Sequence, residues 1–417
     1  MSDSAPIAVI GAGPAGLIAA EVLSATGKRV VVYERMPSVG RKFLMAGRGG
    51  LNLTHAEDLA RFLTRYAEAT PHLRPMLEAL TPADLIAWAE GLDQETFVGS
   101  SGRVFPKAMK ASPLLRTWLV RLEAQGVTIR TRVRWIGWDD DGALRFESPD
   151  GVERVHASTT LLALGGASWP RLGSDGVWTD LLSARGVDLA PLKPANVGFN
   201  VAWSDHFRDR FAGEPLKTVA LRFGAHAARG DLTITHYGVE GGAVYAISAP
   251  LRDALANGPV TLTIDLRPTM TSAEIAAKLM HARASDTLST ILRKLLHLSP
   301  VAINLLREAT GGPPLGGPEA LADLIKAVPI TIASPRGLDR AISTAGGVAW
   351  SAVDANLQLK AVPGVYVAGE MLDWEAPTGG YLLQGCFATG AWAARAILRQ
   401  AGLPGTAPSL ARPEGRC

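Results

Sequence analysis

The chain has 417 residues, 47% of them hydrophobic and 19% charged, with a formal net charge of +3. That length suits two or three domains with sizeable cores, and so mild a charge without a dense Lys/Arg block does not imply a nucleic-acid partner. No uninterrupted apolar run of about 18 residues offers a membrane span, and the two cysteines, Cys386 and Cys417, form neither a disulfide framework nor metal-ligand spacing, which fits a reducing cytoplasm.

Ile7 to Ile10 is a short apolar run closed by glycine, Ala15 to Ala25 carry small and apolar residues at helical spacing, and Val30 to Tyr33 is a second apolar run. The stretch reads strand, tight turn, helix, strand. Pro6 to Leu23 lack the basic n-region of a signal peptide, and the glycine pattern accounts for them better. Gly11 makes the turn, Gly13 lets a pyrophosphate approach the backbone, and Gly16 lets the helix pack closely on the strand. The helix start through Pro14 and Ala15 presents free N–H groups and a positive dipole end to the phosphates. Glu34, eighteen residues after Gly16, ends the second strand ahead of Arg35; its carboxylate can accept from both hydroxyls of an adenosine ribose and would repel a 2′-phosphate, disfavouring NADP in this half-site. The motif alone leaves FAD and NAD open.

In Val39 to His55, Gly40, Gly47, Gly49 and Gly50 allow the backbone to lie flat against a ligand, while Arg41, Lys42 and Arg48 bring positive charge. Asn52 and Thr54 could meet a heterocycle edge. A solvated basic loop is the plainer alternative. GRKFLMAGRGGLNLTH, together with the first motif, resembles the bacterial FAD-binding oxidoreductase family of aminoacetone-oxidase-like flavoproteins, which also includes flavoproteins of bile-acid dehydroxylation. The resemblance continues through SGRVFPKAMKAS, Ser101 to Ser112, and LLALGGASWPRLGSDG, Leu161 to Gly176, resumes near the C-terminus, and implies an FAD-dependent oxidoreductase.

Glu57 to Trp88 read as helical with breaks at Pro71 and Pro82, and Leu114, Leu115, Trp118, Leu119 and Leu122 form a core stripe behind an N-cap at Ser112. Val127 to Thr131 is a strand; Val133 to Leu164 then alternate short strands with turn signals. A meander inserted before the strand LLAL is the layout of a glutathione-reductase-like FAD domain. On that analogy the backbone of Val133 meets the adenine, and Gly165 and Gly166 pass near the cofactor, a plain strand-ending turn being the other reading.

The composition shifts after Pro191. The expected organisation is an α/β FAD-binding Rossmann domain formed by residues 1–193 and 337–417, a β-barrel-like insert at 194–270, and a helical subdomain of the insert at 271–336. Thr271 and Glu274 have capping-box spacing. His236 and Tyr237 are weak catalytic candidates that could exchange protons near neutral pH, although satisfied barrel residues are the commoner outcome.

Val365 to Ala368 return as a third buried strand with Gly369 and Glu370 at its carboxyl end, where open α/β sheets bind ligands. Glu370 stands where most relatives of that architecture carry Asp. Gly380, Tyr381, Leu382 and Gln384 open a small-residue helix whose N–H groups can face the flavin N1–C2=O edge. This convergence of distant strand ends favours FAD over NAD. Tyr381, with Trp374 and Glu375, could line the substrate pocket and is a third weak catalytic candidate, while Cys386 reads as a structural thiol.

The expectation is hydride transfer between bound flavin and a small organic substrate, with NADH or NADPH binding transiently if a C=C bond is reduced. An oxygen-using amine or ketone oxidase is the alternative. From another class come an FAD-dependent RNA-modifying protein and a non-enzymatic flavin-binding partner. A cytoplasmic protein without metal or membrane is expected, its oligomeric state open.

Overall fold

The computed structural model describes residues 5–47, 49–283, 285–314 and 316–403. These form two compact units: the chain up to Lys193 together with the chain from Ser343, and Pro194–Ile342.

The first unit is built on a five-stranded parallel sheet. Its strands are β1 (Ile7–Ile10), β2 (Val30–Glu34), β3 (Thr128–Thr131), β4 (Thr159–Leu162) and β5 (Val365–Val367), in the spatial order β5-β4-β1-β2-β3. Ile7 lies opposite Val30 on one side and Thr159 on the other, so β1 is central. Ala8, Val9 and Val32 are fully buried, as the apolar runs of a two-sided parallel sheet require. The antiparallel meander Arg134–Trp138, Leu144–Ser148, Gly151–Val155 precedes β4, and Phe146 stacks on Tyr33 at 4.2 Å.

Helix α1 (Pro14–Ser24) packs on the long helix Tyr381–Gln400. A Cβ on Gly390 would lie 2.3 Å from the Ala15 carbonyl oxygen, so the two helices meet backbone to backbone through small residues. On its other side α1 buries Glu21, 3% exposed, which accepts from the indole N–H groups of Trp88 (3.1 Å) and Trp118 (2.6 Å) and pairs with Arg121 at 3.0 Å. The chain leaves this unit through Leu189–Ala195 and returns through Ser343–Val348, which form a two-stranded sheet.

The second unit has its own core around Phe199, Leu221, Ile234, Leu262 and Ile332. Its seven-stranded sheet runs in the order Val328–Ile332, Val260–Asp265, Pro215–Phe223, His226–Thr235, Gly238–Glu240, Phe199–Asn200, Ser334–Pro335. The first and last of these strands are separated only by Ala333, whose N–H donates to the Asn200 carbonyl at 2.9 Å. Four helices between Ser272 and Lys326 cover it, the first behind a complete Thr271/Glu274 capping box. Residues 328–332 and 334–335, assigned above to a helical subdomain, are strand instead: long-range pairing of Val328–Ile332 with Val260–Ile264 and of Ser334–Pro335 with Phe199–Asn200 decides their conformation. The first unit resumes at Ser343 rather than at residue 337.

Candidate functional site

The glycines at the end of β1 divide into two kinds. A Cβ on Gly11 (φ +105°) would lie 2.3 Å from the Ala163 carbonyl oxygen, and one on Gly16 would lie 1.9 Å from that of Gly11, so both are needed for close packing. Gly13 faces open space. It is the N-cap of α1, with Pro14 next in the first turn, and its side makes no capping hydrogen bond, which leaves helix N–H groups without an intrahelical acceptor. Glu34 accepts from the Ala12 N–H (2.9 Å, Oε2) and the Met36 N–H (2.8 Å, Oε1). Burial pushes its carboxyl pKa up, against the opposing pull of these two N–H bonds. Arg35 is ion-paired with Asp175.

The second strand end is joined to this turn by Gly40 (φ +63°), whose N–H donates to the Ala12 carbonyl at 2.9 Å. The helix α2 (Arg41–Ala46) begins there. Arg41 donates to Ser38 at 3.3 Å, and its buried Nε has no partner. Lys42 Nζ reaches Ser168 (2.9 Å), Ser174 (3.4 Å) and Glu370 Oε2 (2.6 Å). Glu370 also accepts from the Gly166 N–H (3.4 Å) and, through Oε1, from the Thr344 N–H (3.0 Å). Thr344 Oγ1 in turn accepts from the N–H groups of Ala167 (2.9 Å) and Ser168 (3.1 Å). Segments following β2, β4 and β5 thus converge in one polar network at the carboxyl ends of the strands. Gly165 (φ +72°) and Gly166 fit into it without space for side chains: a Cβ would lie 3.1 Å from Ser174 Oγ and 2.4 Å from Thr344 Oγ1 respectively.

Asn52 Oδ1 is buried without a partner, Gly49 is exposed, and Gly50 has φ +111°. Arg48 lies outside the described residues, as does Cys417. Gly369 (φ +83°) donates its N–H to Thr389 Oγ1 at 2.9 Å.

Four of the expected ligand residues have these partners within the chain. Thr54 Oγ1 donates to Gln384 Oε1 at 2.8 Å, and Gln384 Nε2 donates to the Leu80 carbonyl at 2.7 Å; both side chains are fully buried and committed to each other. The Val133 N–H is taken by the Glu34 carbonyl at 2.9 Å. The Tyr381 hydroxyl donates to Glu57, which is held by Arg65 at 2.6 Å, and its ring packs between His55 and Phe62. Burial and the Glu57 carboxylate raise the Tyr381 phenol pKa, against the opposing effect of Arg65. Gly380 (φ +92°) abuts the Thr54 backbone, where a Cβ would fall 2.5 Å from Thr54 Cα, and Leu382 is half-buried against the core. Cys386 is half-buried, and burial with the Glu370 charge pushes its thiol pKa up to about 12, against the opposing effect of Lys42.

His236 and Tyr237 belong to the second unit. His236 is exposed, edge-on to Tyr237 at 5.2 Å, and the Tyr237 hydroxyl donates to Glu240. Among the described residues no group of His, Cys, Asp and Glu could hold a metal ion. Ser168, Ser174 and Thr344 went unassigned above although two of them sit inside a quoted motif.

The open Gly13 turn, the uncapped start of α1, and the unpartnered buried Arg41 Nε and Asn52 Oδ1 fit a dinucleotide with a diphosphate bridge.

A family model described as HI0933-like protein Rossmann domain matches residues 5–396. A 3-dehydro-bile acid delta(4,6)-reductase of Clostridium scindens is 28% identical, covering 94% of this chain and 98% of the relative. A ribosomal RNA dihydrouridine synthase of Haemophilus influenzae is 25% identical, covering 96% of this chain and 100% of the relative. The solved structure of the open conformation of a flavocytochrome c3 fumarate reductase superposes with a TM-score of 0.51 at 15% identity, over 95% of this chain and 79% of that one, a likeness of fold.

Proposed function

The chain belongs to the HI0933-like Rossmann-domain family, and from that premise we propose that it is an FAD-dependent oxidoreductase that reduces a C=C bond conjugated to a carbonyl. The observation that carries this reading is the convergence of the open Gly13 helix start with the Lys42–Glu370 network at the carboxyl ends of the strands. The relatives' names agree on the chemistry: one is a delta(4,6)-reductase, and the other makes dihydrouridine, a uridine that has gained two hydrogens.

Bound FAD supplies the ring that carries the hydride. The chain's residues do the rest. N–H groups of Gly13, Pro14's successor Ala15 and Gly16 take the diphosphate, Glu34 uses its remaining lone pairs for the adenosine ribose, and Arg41 Nε and Asn52 Oδ1 find their partners on the cofactor. Glu370, held by Lys42 and two backbone N–H groups, accepts from a ribityl hydroxyl. The sheet of the insert, its edge strands consecutive in the chain, is read as barrel-like. NADH or NADPH is the hydride donor, binding transiently because only one glycine half-site is present.

The test is the visible spectrum of the purified protein under anaerobic addition of NADH and then NADPH. Bleached flavin bands followed by reoxidation with an enone support the reading. Bands that persist with both donors but bleach with an amine or hydroxy donor replace it with an oxidase. A second reading, reduction of a uracil ring in RNA, is favoured by the two relatives named for ribosomal RNA, 25% and 24% identical. Salt-dependent binding of rRNA and flavin reoxidation by it, with enones inert, would select that reading.

A further inference from the structure

The first unit has a second ligand-sized feature, beside the edge strand β5. A cavity of about 350 Å³ opens there, between the loop that precedes the strand and the end of the long helix Tyr381–Gln400. Tyr366 and Ala396 are the buried part of its wall, and Asp354, Asn356, Arg399 and Gln400 stand around it. No member of the Lys42–Glu370 network lines it.

The loop is locked from within. Asp354 Oδ1 accepts from the N–H groups of Asn356 (2.8 Å) and Gln358 (2.9 Å), a turn that carries Leu357 at φ +66°, where few side chains are found. The Val367 N–H of β5 donates to the Leu357 carbonyl at 2.9 Å. The Tyr366 hydroxyl donates to Gln400 Oε1, which leaves Nε2 of that amide as a donor. Arg399 Nη2 donates to Asn356 Oδ1 at 3.2 Å, which likewise leaves Asn356 Nδ2 as a donor beside the guanidinium. The guanidinium carbon lies 5.7 Å from the Trp392 ring centroid, and the Trp392 indole N–H donates to the Ala355 carbonyl at 2.9 Å, so the cation rests on a ring that the same loop holds.

Asp354 and Arg399 therefore border one cavity with opposite charges, yet they stand more than 4.0 Å apart, and neither is ion-paired with any described residue. Both fields reach the same phenol: burial raises the Tyr366 pKa, Asp354 adds to the rise and Arg399 opposes it. A guanidinium with an amide donor beside it takes a carboxylate, and a carboxylate two residues along the loop takes an ammonium. The amides of Gln358 and Gln400 complete the wall and suit a polar chain. We propose that this cavity binds a free polar α-amino acid, its carboxylate on Arg399 and Asn356, its ammonium on Asp354 and its side-chain carbonyl on Gln400. The volume lies at the small end of ligand sites, roughly 300–1,000 Å³, as a single amino acid requires.

The test is saturation-transfer NMR of L-glutamine with the full-length holoenzyme, titrated for its dissociation constant. Two analogues isolate the charges: glutaramate lacks the ammonium, and L-glutaminamide lacks the carboxylate. Because both protein charges are partly exposed, L-glutamine is expected to bind about three- to fivefold tighter than either analogue, and Asp354→Asn and Arg399→Gln each to weaken it by about the same factor. Asparagine keeps the oxygen that accepts from the two loop N–H groups, so the turn survives, and both variants are expected to retain wild-type flavin content and melting temperature. No transfer signal with the wild type, analogues that bind as tightly as L-glutamine, or folded variants that bind it unchanged overturn the proposal. None of these readouts uses reduction of the flavin, so the result stands whether or not an enone is turned over.

Discussion

Lys42 and Glu370, 328 positions apart, meet at 2.6 Å with their side chains 26% and 12% exposed, and this one ion pair ties the segment after β2 to the end of β5. Removing either partner leaves the other partly buried with neutral donors or acceptors only. Lys42→Met and Glu370→Gln are each expected to lower flavin occupancy several-fold, read from the ratio of flavin to protein absorbance, and to destabilise the fold by about 1–3 kcal/mol in urea denaturation. The double variant should cost less than the sum of the two, because the pair is lost only once.

The glycines of the first turn separate packing from ligand contact. Gly16→Ala forces a Cβ into the Gly11 carbonyl oxygen at 1.9 Å and is expected to yield little folded protein. Gly13→Ala meets nothing within 4 Å and has φ −86°, open to any residue. It should melt at the wild-type temperature when flavin-free, yet need at least about tenfold more FAD for half-saturation. Equal FAD affinity in Gly13→Ala would count against the diphosphate assignment.

Glu21 is structural in full. Replacing it by Ala strands Arg121 and two indole N–H groups, and a loss of about 3–5 kcal/mol in unfolding free energy is expected for breaking a buried charged cluster. Any residual folded protein should bind FAD with wild-type affinity, because Glu21 faces Trp88 and Trp118 rather than the strand ends.

Cys386 should resist alkylation. With its thiol pushed to about 12 by burial and the Glu370 charge, the thiolate fraction at pH 8 is roughly one in ten thousand. In a Cys417→Ser background, iodoacetamide labelling is expected to be slower than that of free cysteine by orders of magnitude at pH 8, and to rise toward pH 12 as long as the fold survives. Rapid labelling at neutral pH would mean that Cys386 is an activated thiol.

The parallel sheet and its glycine turn were legible because their signals are local: apolar runs, spaced glycines and a terminal acid within 35 residues. Lys42 was likewise marked by its place after β2. Ser168, Ser174 and Thr344 were not, since nothing in a serine or threonine announces that a chain folding over 100 residues away will bring it a lysine or a backbone N–H. Thr54 and Gln384 show the opposite failure. Both stand beside cofactor-like motifs, but each satisfies the other inside the core. Residues 328–332 carry the alternation of a strand in VPITI, yet their neighbours' helical pattern obscured it.

Ala333 has a mechanical consequence. Because one short run of backbone serves as both borders of the insert's sheet, that sheet offers no long border for another chain to add to, and no border strand can peel away alone. Loosening Val328–Ile332 from one side drags Ser334–Pro335 from the other. The insert should therefore come apart in a single step, with the amide protons of Val328 and of residues 330–333 exchanging at the rate of its centre rather than at the rate of a rim.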